Sequence, residues 1–254
     1  MRLKDKTQAI SKSIETGARH PIAYIDSRRY VQHNLSLEDG LGPLLEYFDQ
    51  LPASQSKVNP LRALEDGDIS LAHIEYHIEP YGHVVGFEIH RWEDGRIVEH
   101  WDNLQAMPEV VNASGHTMVD GPVEVVDLDR ALPNKLLVED FVRTVLIGSD
   151  ASALTKFLHD DSLIEHNPHG SDGGDSLRAV LRAASDTACV RHQRLHRVIG
   201  EGNFCLTLGE GLVEGQHSAI FDLFRVAEAK IVEHWDVTEP IPARSDWKND
   251  NGKF

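Results

Sequence analysis

The sequence predicts an α+β protein that contains two tandem copies of one domain. The hexapeptide Ile-Val-Glu-His-Trp-Asp occupies residues 97–102 and again residues 231–236, 134 residues further on. In each copy a helical periodicity comes first, and several alternating strand patterns follow it. Solenoid repeats are about 20 to 50 residues long, so a repeat of this size indicates the duplication of a whole α+β domain.

Further landmarks recur in the same order. Phe87–Arg91 matches Phe221–Arg225 at the same spacing, and Tyr30–Asn34 matches Leu163–Asn167 with one residue less. A single one-residue insertion accounts for the difference. The predicted boundaries are a first copy at 1–110, a linker at 111–133, a second copy at 134–242 and a polar C-terminal tail at 243–254.

Each copy begins with helices. Ile10, Ile14 and Ala18 recur at helical spacing within residues 4–18, and a similar pattern marks residues 134–147. A short second helix is expected at about 20–26 and 151–158. A third should follow the Asp-Gly pairs at 39–40 and 172–173, at about 42–51 and 174–186. Between the second and third helices, a short strand should carry the His-Asn pair.

Strands fill the rest of each copy. The predicted ranges are 57–65, 69–79, 83–93 and 96–104, then 190–199, 203–213, 216–227 and 230–238. Asp94-Gly95 should form the tip of a tight hairpin. The second copy has Glu228-Ala229 at that place and therefore lacks the glycine.

The amino-acid composition argues against some classes of binding partner. The formal net charge is −16, from 25 basic and 41 acidic residues, which argues against nucleic acid or an anionic membrane surface as partner. No signal peptide and no apolar run long enough to span a membrane is visible. Cys189 and Cys205 have apolar neighbours and are expected to be buried free thiols. We therefore expect a cytoplasmic protein.

The repeated motifs resemble those of a known family. Tyr-Val-Gln-His-Asn followed by Asp-Gly, then Phe-Glu-Ile-His-Arg and Gly-Arg-Ile-Val-Glu-His-Trp-Asp, is similar to the SnoaL-like polyketide cyclases. These belong to the nuclear-transport-factor-2-like superfamily, together with ketosteroid isomerase and limonene epoxide hydrolase. The resemblance covers roughly 1–106 and 134–240. It implies two cone-shaped domains, each a curved antiparallel sheet wrapped around helices with an apolar pocket inside, and it says little about the reaction.

The resemblance also implies site residues. The general acid/base Asp of SnoaL-type cyclases corresponds to Asp222 in the second copy and to Glu88 in the first. The catalytic base of ketosteroid isomerase falls on Asn167 and Asn34, which cannot take up a proton. The isomerase mechanism is therefore not expected here.

Strand geometry independently groups these positions. Residues two apart share a face of a sheet, so His234 goes with Asp236 and His100 goes with Asp102. If each hairpin sets the carboxylate of Asp222 or Glu88 beside its histidine, the pair suits general acid–base chemistry. The candidate catalytic residues are Asp222, His234, Asp236, Asn167, Glu88, His100, Asp102 and Asn34.

We expect no metal and no cofactor. The first copy is nevertheless rich in imidazoles, at His73, His77, His83, His90 and His100, with Glu75 among them. Imidazole and carboxylate ligands suit zinc or iron, but this alternation is not a specific ligand spacing. Metal-assisted hydrolysis in the first copy is the third and weakest hypothesis.

Two other hypotheses about the function are stronger than metal-assisted hydrolysis. The first is a lyase or isomerase of the SnoaL-like type that acts on a small carbonyl compound, with Asp222 moving the proton and Asn167 binding the carbonyl. The second is a protein that binds a small apolar ligand without turnover. In either case we expect a small-molecule partner and two copies that form a pseudo-dimer within one chain, alone or as a homodimer.

Overall fold

The computed structural model of the chain describes residues 1–79, 81–183 and 190–254. It divides into two compact units. Unit 1 comprises Met1–Met107 together with Ile241–Phe254, and unit 2 comprises Pro108–Pro240. The segment predicted as a linker thus lies within unit 2, and the tail that follows the second copy lies within unit 1.

Within its described residues, unit 1 contains two α-helices and five strands. The helices are α1 (Leu3–Thr16) and α2 (Leu41–Gln50), and a 3-10 turn covers His20–Tyr24. The strands are β1 (Val31–Gln32), β2 (Lys57–Asp66), β3 (Ile69–Ile78), β4 (Gly82–Glu93) and β5 (Arg96–Ala106). They form one sheet in the order β1-β5-β4-β3-β2. The short β1 runs parallel to β5, and the other pairs are antiparallel.

Unit 2 repeats this plan. Its helices are α3 (Ala131–Phe141), which continues as a π-helix over Val142–Ile147, then α4 (Leu154–Phe157) and α5 (Gly174–Ala183). Its strands are β6 (Ile164–Glu165), β7 (Arg191–Glu201), β8 (Phe204–Val213), β9 (Gln216–Ala227) and β10 (Lys230–Pro240). The sheet order is β6-β10-β9-β8-β7, so the topology of unit 1 recurs strand for strand.

Both units bury an apolar core between the first helix and the sheet. In unit 1, Ile10 of α1 packs with Trp92 and Ile97 of the sheet. In unit 2, Phe141 of α3 meets Phe224 of β9 edge to face, with 5.5 Å between ring centroids. The predicted class, α+β with two tandem antiparallel-sheet domains, is confirmed.

Two predictions concern residues outside the described ranges. The last residues of the third helix of unit 2, from 184 to 186, fall there, and so does Cys189. Cys205 is described, and it is a buried free thiol as predicted. Among the described helices, none is both long enough and apolar enough to cross a membrane.

Candidate active site

The register of the β9–β10 hairpin brings the predicted residues of unit 2 together. Asp222 lies opposite Asp236, and Phe224 lies opposite His234. Because side chains two residues apart share a face, all four lie on the same face of the sheet. Asp222 and Asp236 are 1% and 4% exposed, so neither carboxylate faces bulk water.

His234 sits between two carboxylates. Its Nε2 lies 3.2 Å from Asp222 Oδ1, and its Nδ1 lies 2.9 Å from Glu165 Oε1. Glu165 reaches this place because β6 pairs in parallel with β10 and sets Glu165 beside His234. Burial opposes the charge on the imidazole, but the two carboxylates outweigh it and hold the pKa of His234 well above its usual value. His234 is therefore an imidazolium at neutral pH.

A second histidine reaches Asp222 from the far edge of the sheet. His192 of β7 places Nε2 3.1 Å from Asp222 Oδ2, and the Thr207 hydroxyl donates to the same oxygen over 3.2 Å. Burial alone would raise the pKa of the Asp222 carboxyl. The contacts with His192 and His234 more than offset burial and lower that pKa, so Asp222 is ionised.

Asp236 has the opposite tendency. Burial, the largest cause, and the negative charges of Glu165 and Asp222 raise the pKa of its carboxyl to about 6, against the opposing effects of His234 and Asn167. The Asn167 amide donates to Asp236 Oδ2 over 2.7 Å. Within the described parts of the chain, the buried Oδ1 of Asp236 has no hydrogen-bond partner.

The predicted partner of Asn167 is a ligand carbonyl, but its partner in the structure is the carboxyl group of Asp236. Its amide nitrogen is committed to Asp236, and its oxygen accepts from the backbone of His169. It positions the acid instead of standing free for a ligand carbonyl. Asn34 in unit 1 does the same, donating to Asp102 Oδ2 over 2.6 Å.

Unit 1 pairs its predicted residues in the same register. Glu88 lies opposite Asp102, and His90 lies opposite His100. His100 Nε2 is 2.8 Å from Glu88 Oε2. Burial favours the neutral imidazole, but Glu88 and Asp102 outweigh it and raise the pKa of His100.

The surroundings of the two sites differ. The carboxylate of Glu88 accepts a hydrogen bond from the Tyr76 hydroxyl over 2.8 Å, where Asp222 has His192. Gln32 occupies the place of Glu165 and contacts His100 Nδ1 at 2.8 Å through its amide oxygen. Unit 1 therefore surrounds its histidine with one carboxylate fewer.

A lysine enters the site of unit 1 from the end of the chain. Lys253 Nζ lies 3.6 Å from Asp102 Oδ1, and both side chains are 5% exposed. The segment that carries it is held by Asn249, whose amide donates to the backbone oxygens of Asn34 and Leu37. We call residues 249–253 the clasp of unit 1.

Unit 2 has a corresponding clasp in residues 112–120. The Asn112 amide donates to the backbone oxygens of Glu165 and Asn167. The residue after the clasp glycine is here His116, which is half-buried and contacts the carboxylates of Asp120 and Asp172. In the other clasp the residue at this place is the buried Lys253, which contacts Asp102 of the site, whereas His116 contacts Asp120 and Asp172.

On the opposite face of each hairpin, a histidine stacks on a tryptophan and contacts a glutamate. The His166 ring stacks on Trp235 with 4.5 Å between centroids, and its Nε2 lies 2.9 Å from Glu233 Oε1. Glu233 also accepts from the Arg225 guanidinium over 2.6 Å. Unit 1 repeats these contacts with His33, Trp101, Glu99 and Arg91.

The imidazole-rich region of unit 1 does not form one cluster. Glu75, His77 and His83 lie together near one end of the β3–β4 hairpin, whereas Glu88, His90 and His100 form a separate buried group. His73 is buried and contacts the Arg62 guanidinium at 3.1 Å. These histidines of the described residues therefore lie in separate places along the sheet.

Sequence reasoning missed His192, Glu165, Gln32, Tyr76 and Lys253 as parts of the two sites. The missed signal for the clasps is a second internal repeat, Asn-Ala-Ser-Gly-His at 112–116 and Asn-Asp-Asn-Gly-Lys at 249–253. It lies outside the register of the domain repeat. His192 gave no such signal, because its counterpart across the register is Val58, which pairs with Tyr76 as His192 pairs with Gly211.

No protein-family model matches the chain, and no curated protein matches it. Solved structures that resemble it each span less than half of its length. TsrD from Streptomyces laurentii is 21% identical over 41% of this chain and 87% of its own, with a TM-score of 0.33. An LEH-like epoxide hydrolase from M. tuberculosis is 22% identical over 43% and 84%, with a TM-score of 0.34. An NTF2-like protein from Mesorhizobium loti is 16% identical over 47% and 97%, with a TM-score of 0.35.

Proposed function

We propose that unit 2 is a lyase or isomerase of the SnoaL-like type, which carries out acid–base chemistry on a small carbonyl compound. The observation that supports this is a pair of facing carboxylates with opposite proton affinities. Asp222 is held ionised by two imidazoles, while the pKa of Asp236 is raised to about 6. Paired groups whose environments push their pKa values apart are typical of sites that need both an acid and a base.

The proton acceptor in this proposal is the His192–Asp222 pair. His192 Nε2 contacts both oxygens of Asp222, at 3.1 and 3.3 Å, so this nitrogen carries the donated proton. Nδ1 then carries the lone pair of the neutral imidazole. Among the described residues, His192 Nδ1 has no hydrogen-bond partner, and the side chain is 12% exposed. Asp222 would orient the ring and stabilise the imidazolium that forms.

The proton donor is Asp236. In its protonated form, the free Oδ1 can donate to a carbonyl oxygen while Asn167 holds Oδ2. His192 would remove a proton from the carbon next to the carbonyl, and the enolate oxygen would be stabilised by Asp236. If the enolate carbon then attacks a second carbonyl of the same molecule, a carbon–carbon bond forms. The new alkoxide takes back the proton from His192, which gives an intramolecular aldol closure.

The test measures exchange of carbon-bound hydrogen for deuterium. A panel of small ketones and 1,3-diketones is incubated with the full chain in D₂O, and the loss of the α-proton signal is followed by NMR. We expect catalysed exchange that is lowered by about 100- to 10,000-fold in His192→Gln, which removes the base, and also lowered in Asp222→Asn, which removes the carboxylate that orients it. Glu88→Gln, the matched change in unit 1, should leave the rate unchanged. A rate that survives Asp222→Asn would contradict the proposal.

The second candidate function is ligand binding without turnover. It is supported by Asn34 and Asn167, which stand where ketosteroid isomerase has its base and whose amides are committed to Asp102 and Asp236. The same carbonyl compounds should then raise the melting temperature without any α-proton exchange. A compound that binds to the wild-type protein and also exchanges would exclude this alternative for that compound.

A further inference from the structure

Unit 1 carries a group of potential metal ligands that unit 2 does not repeat. Glu88, His90 and His100 lie on one face of β4 and β5, and one ligand atom from each lies within 4.8 Å of the other two. Both imidazoles are buried, at 3% and 6% exposure. In unit 2 the position of His90 is Phe224, which stacks on His234 much as His90 stacks on His100. The extra imidazole is therefore specific to unit 1.

Each of the three side chains is held from behind by a polar partner. Thr7 Oγ1 lies 3.0 Å from His90 Nδ1, and Gln32 Oε1 lies 2.8 Å from His100 Nδ1. Both oxygens can accept the Nδ1 proton, which leaves Nε2 of each ring as the ligand atom. The Tyr76 hydroxyl donates to Glu88 Oε1, so that Oε2 faces the cluster. Outer contacts of this kind fix the tautomer and orientation of metal-binding side chains.

The charges around the cluster also suit a cation. Lys253 lies beside Asp102 at 3.6 Å, so the Asp102 carboxylate balances the ammonium group. Glu88 remains as the carboxylate of the cluster, together with two imidazoles. Two histidines and one carboxylate are a ligand set preferred by zinc and by iron(II).

We propose that unit 1 binds one divalent transition-metal ion through Glu88, His90 and His100. The ion would replace the proton shared between His100 Nε2 and Glu88 Oε2, which are 2.8 Å apart. Three protein ligands leave at least one coordination position for water or for an oxygen of a substrate. Metal sites with an open position act as Lewis acids or activate water. The site is independent of the acid–base chemistry proposed for unit 2.

The test titrates Co²⁺ and Zn²⁺ into the full chain after treatment with a chelator. We expect one Co²⁺ per chain with visible ligand-field absorption, and displacement of that absorption by Zn²⁺. His90→Phe, which copies the residue of unit 2, should weaken binding at least about 100-fold. Thr7→Val removes only the outer contact and should weaken it about 10- to 100-fold. Thermal melts of both variants check that the fold is retained.

Two control variants separate this site from other groups of potential ligands. His77→Ala removes a ligand from the group at Glu75, His77 and His83, and His116→Ala does so at His116, Asp120 and His166. Neither should change the affinity or the spectrum. Absence of ligand-field absorption, or binding that survives His90→Phe and is lost in His77→Ala, would overturn the proposal. Because His90 lies in unit 1, these outcomes do not depend on α-proton exchange at Asp222.

Discussion

At the scale of single residues, the two copies share one strand register, but different side chains occupy the paired positions. The paired positions are Glu88 and Asp102 in one unit and Asp222 and Asp236 in the other. Asp102 has Lys253 beside it, whereas Asp236 lies near the negative charges of Glu165 and Asp222. The same backbone therefore supports a carboxylate with a cationic neighbour in unit 1 and a carboxyl group with a pKa raised to about 6 in unit 2.

The raised pKa of Asp236 predicts how stability changes with pH. Its pKa is about 6 in the folded protein, against 3.8 for an ordinary aspartate, so the folded state holds this proton more tightly than the unfolded state. Stability from this group is fully present below pH 4 and is lost as pH rises through 6. This difference in proton affinity corresponds to about 3 kcal/mol.

Asp236→Asn should therefore stabilise the protein at pH 8 and change little at pH 4. We expect the free energy of unfolding, measured by urea denaturation, to rise by about 2 to 3 kcal/mol at the higher pH. Asp102→Asn is the matched control. It removes the carboxylate beside buried Lys253, so it should destabilise at pH 8. An effect of Asp236→Asn that is equal at both pH values would contradict this account.

The site residues were predictable only where they share a strand with a motif. The resemblance implies Asp222, and alternation along β10 groups His234 with Asp236. Glu165 and Gln32 act through β6 and β1, which are two residues long and pair in parallel. A strand of two residues has no periodicity to read, so the parallel pairing that brings these side chains to the site could not be predicted.

At the scale of elements, the long strands follow their sequence pattern closely. Each of the eight predicted strands corresponds to one strand of the structure, although β3, β8 and β9 are buried on both faces along most of their length. Helix ends were less predictable. The pattern at 134–147 indicates one helix, and the chain instead forms an α-helix followed by the π-helix Val142–Ile147.

The tip of the second hairpin keeps its geometry without a glycine. Asp94 and Gly95 have φ of 50° and 74°, and Glu228 and Ala229 have φ of 51° and 58°. A tight hairpin of this type requires positive φ at both central residues. An alanine in this region is strained by roughly 1 kcal/mol.

Ala229→Gly should therefore raise the free energy of unfolding by about 1 kcal/mol. Gly95→Ala is the reciprocal change and should lower it by a similar amount. A methyl group at Gly95 would meet no atom within 4 Å, so backbone strain alone would produce the loss. Chemical denaturation of both variants tests the pair. If the free energy of unfolding changed in the same direction in both variants, backbone strain at these turn residues would not account for the effects.

At the scale of the whole molecule, each unit is completed by a segment that follows the last strand of the other copy. Residues 108–127 follow β5 and belong to unit 2, and residues 241–254 follow β10 and belong to unit 1. The domain repeat predicts neither assignment. Both depend on side-chain contacts to backbone oxygens far away in sequence, such as those of Asn112 and Asn249.

The clasps predict a reciprocal pattern of local stability. Each clasp asparagine donates two hydrogen bonds, and each bond contributes roughly 0.5 to 1.5 kcal/mol. Asn249→Ala should speed amide hydrogen exchange about tenfold in residues 31–39 and leave 164–173 unchanged. Asn112→Ala should do the opposite. Hydrogen exchange with mass spectrometry measures both, and a variant that accelerates both segments equally would argue against separate clasps.

The crossing of the clasps also bears on how the two halves can change during evolution. A gene divided at the repeat boundary near residue 133 would encode two pieces. Each piece would carry one copy of the domain together with the clasp that belongs to the other copy. If either piece were exchanged for a homologous half, the clasp of the remaining copy would be exchanged with it. Lys253, for example, is encoded with the second copy and contacts Asp102 of unit 1. A change in either half of the gene can consequently alter the site in the other half.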